Sequence, residues 1–426
     1  MHEIGYLKPS TMSAGKSENA FSVLAKLSFV VFLFVIFFGT SLPFREELAD
    51  ADRIGSSNII NQLVFTLLFL ISLITLVNKR SEVLRFIRKE KFLTLFLVWC
   101  LLSVFWSDFS FTSFKRYFQI LATVAVCLAV LLYVNSSGDT LKYFRYILFL
   151  YVILSILSVF LIPGALDPKF HTWRGLASTK NNLAQAALVC ILVWFYSAKS
   201  AQKSNKILAI MMVFLSLLLL FGTQSATSIA TLGIITIAGG VTYFISDITN
   251  SSYFGKFYIA VIAFLLAAFF IVVFFLAPDW LLALPGYLGK DITFTGRTDL
   301  WQDVFAEAKT HLWLGCGFSA FWDVDSLSLA LLYEDYVWLP NQAHLGYLDL
   351  LNETGIIGVT LFFLMVGWYF IHFLKTGKGN IWKWIFIVVL INNFTESSLF
   401  RPKHILGVMF IFSYIALFVD LMHENK

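Results

Sequence analysis

Long apolar runs recur along almost the whole chain, and they constrain its fold more than any other feature. A helix needs about 20 apolar residues to cross a bilayer. Twelve segments come close to this length, at residues 27–43, 59–77, 92–106, 114–134, 146–163, 181–198, 207–222, 226–246, 257–277, 355–374, 381–396 and 405–422. The weakest is 381–396, because it contains Lys383, Asn392 and Asn393. The runs predict an all-α polytopic membrane protein that forms a single integral membrane domain over residues 1–426.

The composition points to the same class of protein. The chain is 59% hydrophobic and only 13% charged, whereas soluble domains are about a quarter charged. Of its four cysteines, Cys100, Cys127 and Cys190 lie in apolar runs and Cys316 lies in a loop. The sequence has no Cys-x-x-Cys pair and no cluster of His and Cys, so neither a disulfide framework nor a metal site is expected.

The distribution of charge predicts the orientation of the spans. With the N-terminus in the cytoplasm, most Lys and Arg residues lie on the cytoplasmic side and most acidic residues lie outside, as the positive-inside rule requires. Both termini are then cytoplasmic. The outer loops are residues 44–58, 107–113, 164–180, 223–225, 278–354 and 397–404. Only 278–354 is long, and long loops usually have a function. The basic run at 78–91 is interpreted as a topology determinant rather than as a site for anionic lipids.

The long loop contains a segment with the periodicity of an amphipathic helix, residues 298–309. Its predicted apolar stripe consists of Leu300, Trp301, Val304, Phe305 and Ala308. Arg297 stands at the start of this helix, where free backbone amides and a full positive charge favour an anion. The alternative is that Arg297 forms a structural salt bridge with Asp299 or Asp303.

His344 lies near the end of the same loop. Because it follows Pro340, we expect it in the first turn or two of a helix that places Leu348, Leu351 and Gly355 on the same face. Glu353 then points the opposite way. A neutral histidine can accept a proton from a hydroxyl group near neutral pH. The spacing equally allows a histidine that only hydrogen-bonds a loop carbonyl.

Further cations stand at the predicted outer ends of other segments, although that side is acidic overall. They are Lys115, Arg116, Lys169, His171, Arg174, Lys180, Arg401, Lys403 and His404. Fixed cations on an acidic face suggest a specific anion, and the planar guanidinium of arginine suits a phosphate. Each cation could instead pair with a nearby acid or a lipid headgroup. Gly315-x-Gly317 is interpreted as a turn rather than a phosphate cradle, and the polar turn 223–225 as either a sugar contact or a tight connection.

Taken together, these pieces resemble the O-antigen ligase and polymerase superfamily. The matching elements are Gly296-Arg297-Thr298-x-Leu300-Trp301, Leu314-Gly315-x-Gly317-Phe318, Ala343-His344-x-x-Tyr347-Leu348-x-x-Leu351-x-Glu353-x-Gly355-x-x-Gly358, Trp106-Ser107-Asp108 with Lys115-Arg116, and Trp173-Arg174-Gly175 with Lys180-Asn181-Asn182. They follow the family order over roughly residues 100–365. One departure is Leu345, where the family often has Asn after the histidine.

The resemblance implies a glycosyltransferase with a GT-C-like architecture, about twelve transmembrane helices and one long periplasmic loop in the bacterial inner membrane. The donor would be a glycan on a polyprenyl diphosphate, attacked by a hydroxyl of an acceptor glycan without a metal or nucleotide cofactor. His344 would be the general base, and Arg174, Arg297 and Arg116 would hold the diphosphate. The other expected substrate-binding residues are Lys180, Asn181, Tyr347 and Glu353.

The Trp-Arg-Gly and Lys-Asn-Asn elements most resemble exopolysaccharide polymerases, so a polymerase is the favoured function. The first alternative is an O-antigen ligase that transfers the glycan to lipid A core. A polysaccharide or lipid transporter is less favoured, since transporters place charges near the middle of the membrane and these spans contain few. The expected partners are the lipid-linked donor, the acceptor glycan, the lipid bilayer and, by analogy with the family, a co-polymerase that sets chain length. No nucleic acid is expected.

Overall fold

The structure is a computed structural model that describes residues 19–39, 59–167, 171–200, 203–249, 297–323, 340–375 and 381–424. The described residues form thirteen α-helices and no strands. The helices are α1 (Ala20–Phe38), α2 (Ile59–Asn78), α3 (Arg80–Lys89), α4 (Phe92–Leu102), α5 (Ser110–Leu132), α6 (Leu141–Leu161), α7 (Lys180–Ser200), α8 (Lys203–Gly222), α9 (Ala226–Thr249), α10 (Arg297–Ala308), α11 (Gly346–Lys375), α12 (Ile381–Asn392) and α13 (Ile405–Glu424).

These helices confirm an all-α polytopic membrane protein. Eight helices in the described part of the chain are long and apolar enough to cross a membrane. Each predicted apolar run except 257–277 coincides with a helix, and 257–277 lies outside the described residues. The outer loop 44–58 and the parts 278–296 and 324–339 of the long loop also lie outside them. The count of twelve spans and the extent of the long loop therefore remain predictions.

Helix α13 forms the centre of the bundle. It is apolar around its whole circumference, and nearly all of its side chains are buried, as expected for a helix surrounded by others. It packs against α5, α7, α11 and α12. Phe386 of α12 stacks on Phe410 at a centroid distance of 4.9 Å. The connection from α12 into α13 is therefore anchored at both ends in the most buried part of the molecule.

The apolar run at 381–396 is helical only to Asn392, so the predicted eleventh span is wrong at its C-terminal end. A 12-residue helix is about 18 Å long, shorter than the bilayer core of about 30 Å. The side chain of Asn393 forms hydrogen bonds with backbone amides of the turn that follows. Its Oδ1 accepts hydrogen bonds from the amides of Ser398 (2.8 Å) and Leu399 (3.1 Å). Asn393, one of the polar residues that weaken this run, thus stabilises the turn that ends it.

Helix α11 contains a break at Gly355, where the backbone has φ 66°. A side chain at this position would collide with the backbone carbonyl of Trp313. The turn after α10 passes over this break, and its amides hydrogen-bond to helix carbonyls beside the break. The amides of Cys316 and Gly317 donate to the carbonyls of Asn352 (3.0 Å) and Glu353 (3.2 Å). The Gly315-x-Gly317 element is therefore a structural turn, as the sequence predicts.

The described connections between helices lie in two groups, one at each end of the bundle. At one end, called the site end, residues 103–119, 164–167, 171–181, 311–323, 340–355 and 393–404 lie together. Trp106 donates there to the Gly315 carbonyl (3.2 Å). At the opposite end, Lys89 donates to the Leu421 carbonyl (2.8 Å). Ser137 is bound there by the Asp420 carboxylate. The predicted outer loops that the structure describes belong to the site end.

Candidate active site

The predicted amphipathic helix is present as α10, and most of its predicted apolar stripe is buried. Leu300, Trp301, Val304 and Ala308 are buried, and the first three form a small core with Phe321, Trp322, Ala343 and Leu348. The fifth residue of the predicted stripe, Phe305, is 44% exposed. The buried stripe attaches α10 to the loop that carries His344.

Two buried tryptophans fix that loop. Trp301 donates from Nε1 to the carbonyl of Ala343 (2.6 Å), and Trp322 donates to Oδ1 of Asp349 (2.9 Å). The same Asp349 oxygen accepts from the amide of Ala343 (3.1 Å). The residue before His344 is thus held through both its backbone groups.

His344 lies outside the helix in which it was expected. Helix α11 begins only at Gly346, and His344 has φ 53°, in the left-handed region. The prediction that His344 shares a helical face with Leu348 is therefore wrong. A left-handed backbone at a residue other than glycine costs on the order of 1–3 kcal/mol and persists only where the surroundings enforce it. Here the contacts to α10 and α11 enforce it.

A buried carboxylate, Glu396, joins three predicted site residues. Its Oε1 accepts from Arg297 Nη2 (3.1 Å) and from Asn181 Nδ2 (2.9 Å), and its Oε2 lies 3.1 Å from His344 Nδ1. Arg297 also donates to the carbonyl of Thr395 (2.6 Å). Four segments that are far apart in the chain therefore meet at one carboxylate, which we call the Glu396 cluster.

The charge of Glu396 is stabilised by its partners. Burial alone would raise the pKa of this carboxyl, but His344 and Arg297 outweigh burial and lower the pKa below its ordinary value. Glu396 is therefore ionised near neutral pH. Because an ionised carboxylate only accepts hydrogen bonds, His344 donates from Nδ1. That arrangement leaves Nε2 as the ring nitrogen that can accept a proton.

A second cluster lies beside the first and is centred on a guanidinium. Arg401 Nη2 lies 3.1 Å from Asp349 Oδ2 and 3.4 Å from Glu353 Oε1. Both carboxylates are buried, and they lie one turn apart on α11. Burial alone would lower the pKa of Arg401, but Glu353 and Asp349 outweigh burial and raise the pKa above its ordinary value. This group is called the Arg401 cluster.

His404 lies near both clusters. Its side chain interacts electrostatically with Glu396 and with Arg401. Burial lowers the pKa of His404 to about 4, with Arg401 adding to the effect and Glu396 opposing it. His404 is thus neutral near pH 7, and it adds no charge between the clusters.

The remaining predicted site residues are distributed around these clusters. Arg116 donates to the carbonyl of Ser319 and interacts electrostatically with Glu353 and Arg401. Arg174 donates from Nε to the carbonyl of Gly164 (2.7 Å), within its own connection.

Tyr347 donates from its hydroxyl to the carbonyl of Leu390 on α12 (2.8 Å). Lys180 is the first residue of α7, next to Asn181. Lys169 lies outside the described residues. The alternative partners Asp299 and Asp303 do not form the ion pair that the structure describes for Arg297, which is with Glu396.

Sequence reasoning missed Glu396 and Asp349. Glu396 falls at the end of the eleventh apolar run, and Asp349 stands at an unspecified position of the motif that begins at Ala343. A signal for Glu396 is present, because Asn392, Asn393 and Glu396 stand close together at the end of a mainly apolar run, just before the cations of 401–404. Polar and ionisable residues within a membrane-spanning run cost free energy unless they have hydrogen-bonding or charged partners, so a group of them indicates a functional site.

Comparisons with known proteins agree with the motifs. Residues 210–363 match the family model described as O-antigen ligase. The chain is also 26% identical over 139 residues to the exopolysaccharide production protein ExoQ of Rhizobium meliloti (strain 1021). Both matches support the O-antigen ligase and polymerase superfamily. The superfamily prediction is thereby confirmed.

The match to ExoQ covers 30% of this chain and 32% of that protein. The family match includes Arg297 and His344, whereas Asn181, Glu396 and Arg401 lie outside it. The comparisons support a function of the O-antigen ligase or polymerase type, in a family of glycosyltransferase-like enzymes. They agree with the multi-pass membrane fold.

Proposed function

We propose that this protein is a polysaccharide polymerase that transfers a glycan from a polyprenyl diphosphate onto an acceptor glycan, at the outer face of the bacterial inner membrane. The observation that carries the proposal is the Glu396 cluster, which holds a histidine and an arginine on one buried carboxylate. Such a pair supplies a base for a hydroxyl and a cation for a phosphate. The match to an exopolysaccharide production protein supports the choice of polymerase.

In the proposed reaction, His344 Nε2 takes the proton of the acceptor hydroxyl. The hydroxyl oxygen forms a bond to the anomeric carbon of the donor, and the bond from that carbon to the diphosphate oxygen breaks. The electron pair leaves with the lipid diphosphate, and the configuration at the anomeric carbon inverts. Glu396 orients the imidazole and stabilises the imidazolium that forms, in the way a buried carboxylate does in other histidine-based sites.

Arg297 would stabilise the negative charge that develops on the diphosphate. A guanidinium has five N–H donors, and the contacts to Thr395 and Glu396 use two of them. Arg174 and Arg116 would contribute further positive charge. Lys180, Asn181, Tyr347 and Glu353 line or brace the same site in the proposal, and no step requires a metal or a nucleotide cofactor.

A ligase is the second candidate, because the matching family model is described as O-antigen ligase. The donor chemistry would be the same, while the acceptor would be lipid A core. The two functions differ only in the acceptor that the site admits. The co-polymerase partner expected for a polymerase is likewise part of the proposal.

The test incubates purified protein in detergent with a polyprenyl-diphosphate oligosaccharide, alone or with lipid A core, and separates the products on a gel. A polymerase gives a ladder of glycans, and His344→Ala abolishes it. A single transfer that requires lipid A core identifies a ligase. His423→Ala is the matched control, since this histidine lies at the opposite end and contacts the Asn135 carbonyl. Well-folded wild-type protein that forms neither product would refute the proposal.

A further inference from the structure

A polar pocket lies at the opposite end of the bundle, away from both clusters. Its volume is about 430 Å³, within the range of roughly 300–1,000 Å³ that is usual for ligand sites. Its walls come from α1, from the connection between α5 and α6, from the start of α6 and from α7. The proposed reaction does not use any of these elements at this end.

Three cations line the pocket, namely Lys26 of α1 and Lys142 and Arg145 of α6. Among the described residues that line the pocket, Asp139 is the one acid. Its carboxylate accepts from the amides of Asn135 and Ser136, both at 3.2 Å, as part of a capping box. The acid is therefore engaged with the backbone of the connection, and the pocket has an excess of positive charge.

The connection that forms one wall is firmly held. Ser137 donates from its amide to Asp420 Oδ1 (2.7 Å), and its carbonyl accepts from Trp382 Nε1 (3.0 Å). Both partners belong to buried helices of the core. Because this wall is held by hydrogen bonds to core helices, the pocket is preformed and does not depend on the conformation of a surface loop.

Exposed apolar surface begins directly beside the cations. Tyr146 follows Arg145, and the exposed residues Tyr146, Leu150, Leu154 and Leu157 form a stripe along α6. A second stripe on α1 begins next to Lys26, with the exposed residues Leu27, Val31 and Phe34. A ligand with an anionic head and apolar chains matches this arrangement. Basic pockets between transmembrane helices are known to bind anionic lipid headgroups.

We propose that this pocket binds a phosphate-bearing anion through Lys26, Lys142 and Arg145, and that the apolar stripes favour the headgroup of an anionic phospholipid. The site is independent of the proposed transferase reaction. A free phosphate compound has the same recognition chemistry, so the test must separate the two sources.

The experiment titrates delipidated, full-length protein with phosphatidylglycerol, phosphatidylcholine or inorganic pyrophosphate and counts bound molecules by native mass spectrometry. The pocket variant carries Lys26→Gln, Lys142→Gln and Arg145→Gln. The matched control carries Arg80→Gln, Arg85→Gln and Arg88→Gln, which removes the same charge from the exposed face of α3. We expect one saturable phosphatidylglycerol site whose affinity falls by about tenfold or more in the pocket variant and by less than about threefold in the control.

A third variant, Lys26→Arg with Lys142→Arg and Arg145→Lys, keeps the charge and should retain the site. Saturable binding of pyrophosphate, lost in the pocket variant, would support the phosphate site with a soluble ligand as its source. Equal losses in the pocket variant and the control would overturn the proposal, as would equal binding of phosphatidylcholine. Circular dichroism and the thermal unfolding midpoint establish that each variant is folded.

Discussion

The Glu396 and Arg401 clusters contain the same types of ion but are arranged in opposite ways. In the Glu396 cluster one carboxylate is central, and donors from several segments surround it. In the Arg401 cluster one guanidinium is central, and both acids come from the same helix. The first therefore places positive and basic groups around its edge, whereas the second surrounds its positive charge with acids.

This difference separates a reactive role from a bracing role. A diphosphate is attracted to cations at the edge of a cluster and repelled by carboxylates in that position. The Arg401 cluster also ties the loop 393–404 to α11, since Arg401 and its two acids belong to those segments. We therefore infer that the Glu396 cluster acts on substrate and that the Arg401 cluster keeps Glu396 in place.

The largest expected effect is that of Arg401→Ala on stability. The variant leaves Asp349 and Glu353 buried without their cation, and breaking a buried pair from one side costs about 3–5 kcal/mol. The thermal unfolding midpoint in detergent should fall steeply, together with the yield of folded protein. Activity per folded molecule should fall much less.

A compensating variant sharpens that test. Combining Arg401→Met with Asp349→Asn and Glu353→Gln removes all three ionisable groups, and such replacements are often close to neutral. The unfolding midpoint should recover most of the loss. A stable Arg401→Ala protein without transfer activity would contradict the bracing role, because Arg401 would then belong with the residues that bind the diphosphate.

The next largest effect is that of Arg297→Ala on catalysis. Removing one preorganised donor to a developing anion costs about 2.7–4 kcal/mol of barrier, or roughly 10²–10³ in rate. Product formation in the gel assay should be nearly abolished, while the protein remains in the membrane. Arg85→Ala, an exposed arginine at the opposite end, should keep wild-type activity. A wild-type product yield from Arg297→Ala would rule out the diphosphate role.

Glu396→Gln should have an intermediate effect, because it leaves the shape of the site but removes the charge that orients His344. We expect kcat to fall by roughly tenfold to a hundredfold, part of the roughly 10²–10⁴ that a positioned base contributes. KM should change little, and Glu396→Asp should restore part of the activity. An unchanged pH profile of kcat in Glu396→Gln would contradict the orienting role.

The same carboxylate predicts a dependence of stability on pH. Its folded-state pKa is lowered, so the pairing stabilises the fold above the ordinary Glu pKa of about 4.3. The stabilisation is lost as the pH falls through the lower folded-state value. The difference in unfolding midpoint between wild type and Glu396→Gln should therefore be full at pH 6 and shrink below pH 4. A difference that does not vary with pH would argue against the ion pairs.

The sequence predicts the helices well because the bilayer dictates them. Apolar runs of near-spanning length can hardly form anything else in lipid, and the stripe of α10 follows from helical periodicity. The pairing of Arg297 with Glu396 could not be derived, since the two lie 99 positions apart. The left-handed backbone of His344 depends on tertiary contacts to α10, which the sequence does not show. Glu396 is hard to recognise in the sequence because it ends a mainly apolar run. Local sequence patterns therefore identify Asn181, Arg297 and His344 as candidate site residues. Their shared acceptor, Glu396, is identified only from the folded structure.

The smallest expected effect is that of Asn181→Ala, which removes a side-chain amide that donates to Glu396. A neutral hydrogen bond contributes about 0.5–1.5 kcal/mol, so activity should fall by only a few-fold. Asn182→Ala is the matched control, because Asn182 contacts Ser178 instead (2.8 Å). If Asn181→Ala abolished transfer as Arg297→Ala should, the amide would have to contact substrate directly. A few-fold loss would instead confine Asn181 to holding the carboxylate, and would leave the reactive edge of the cluster to Arg297 and His344.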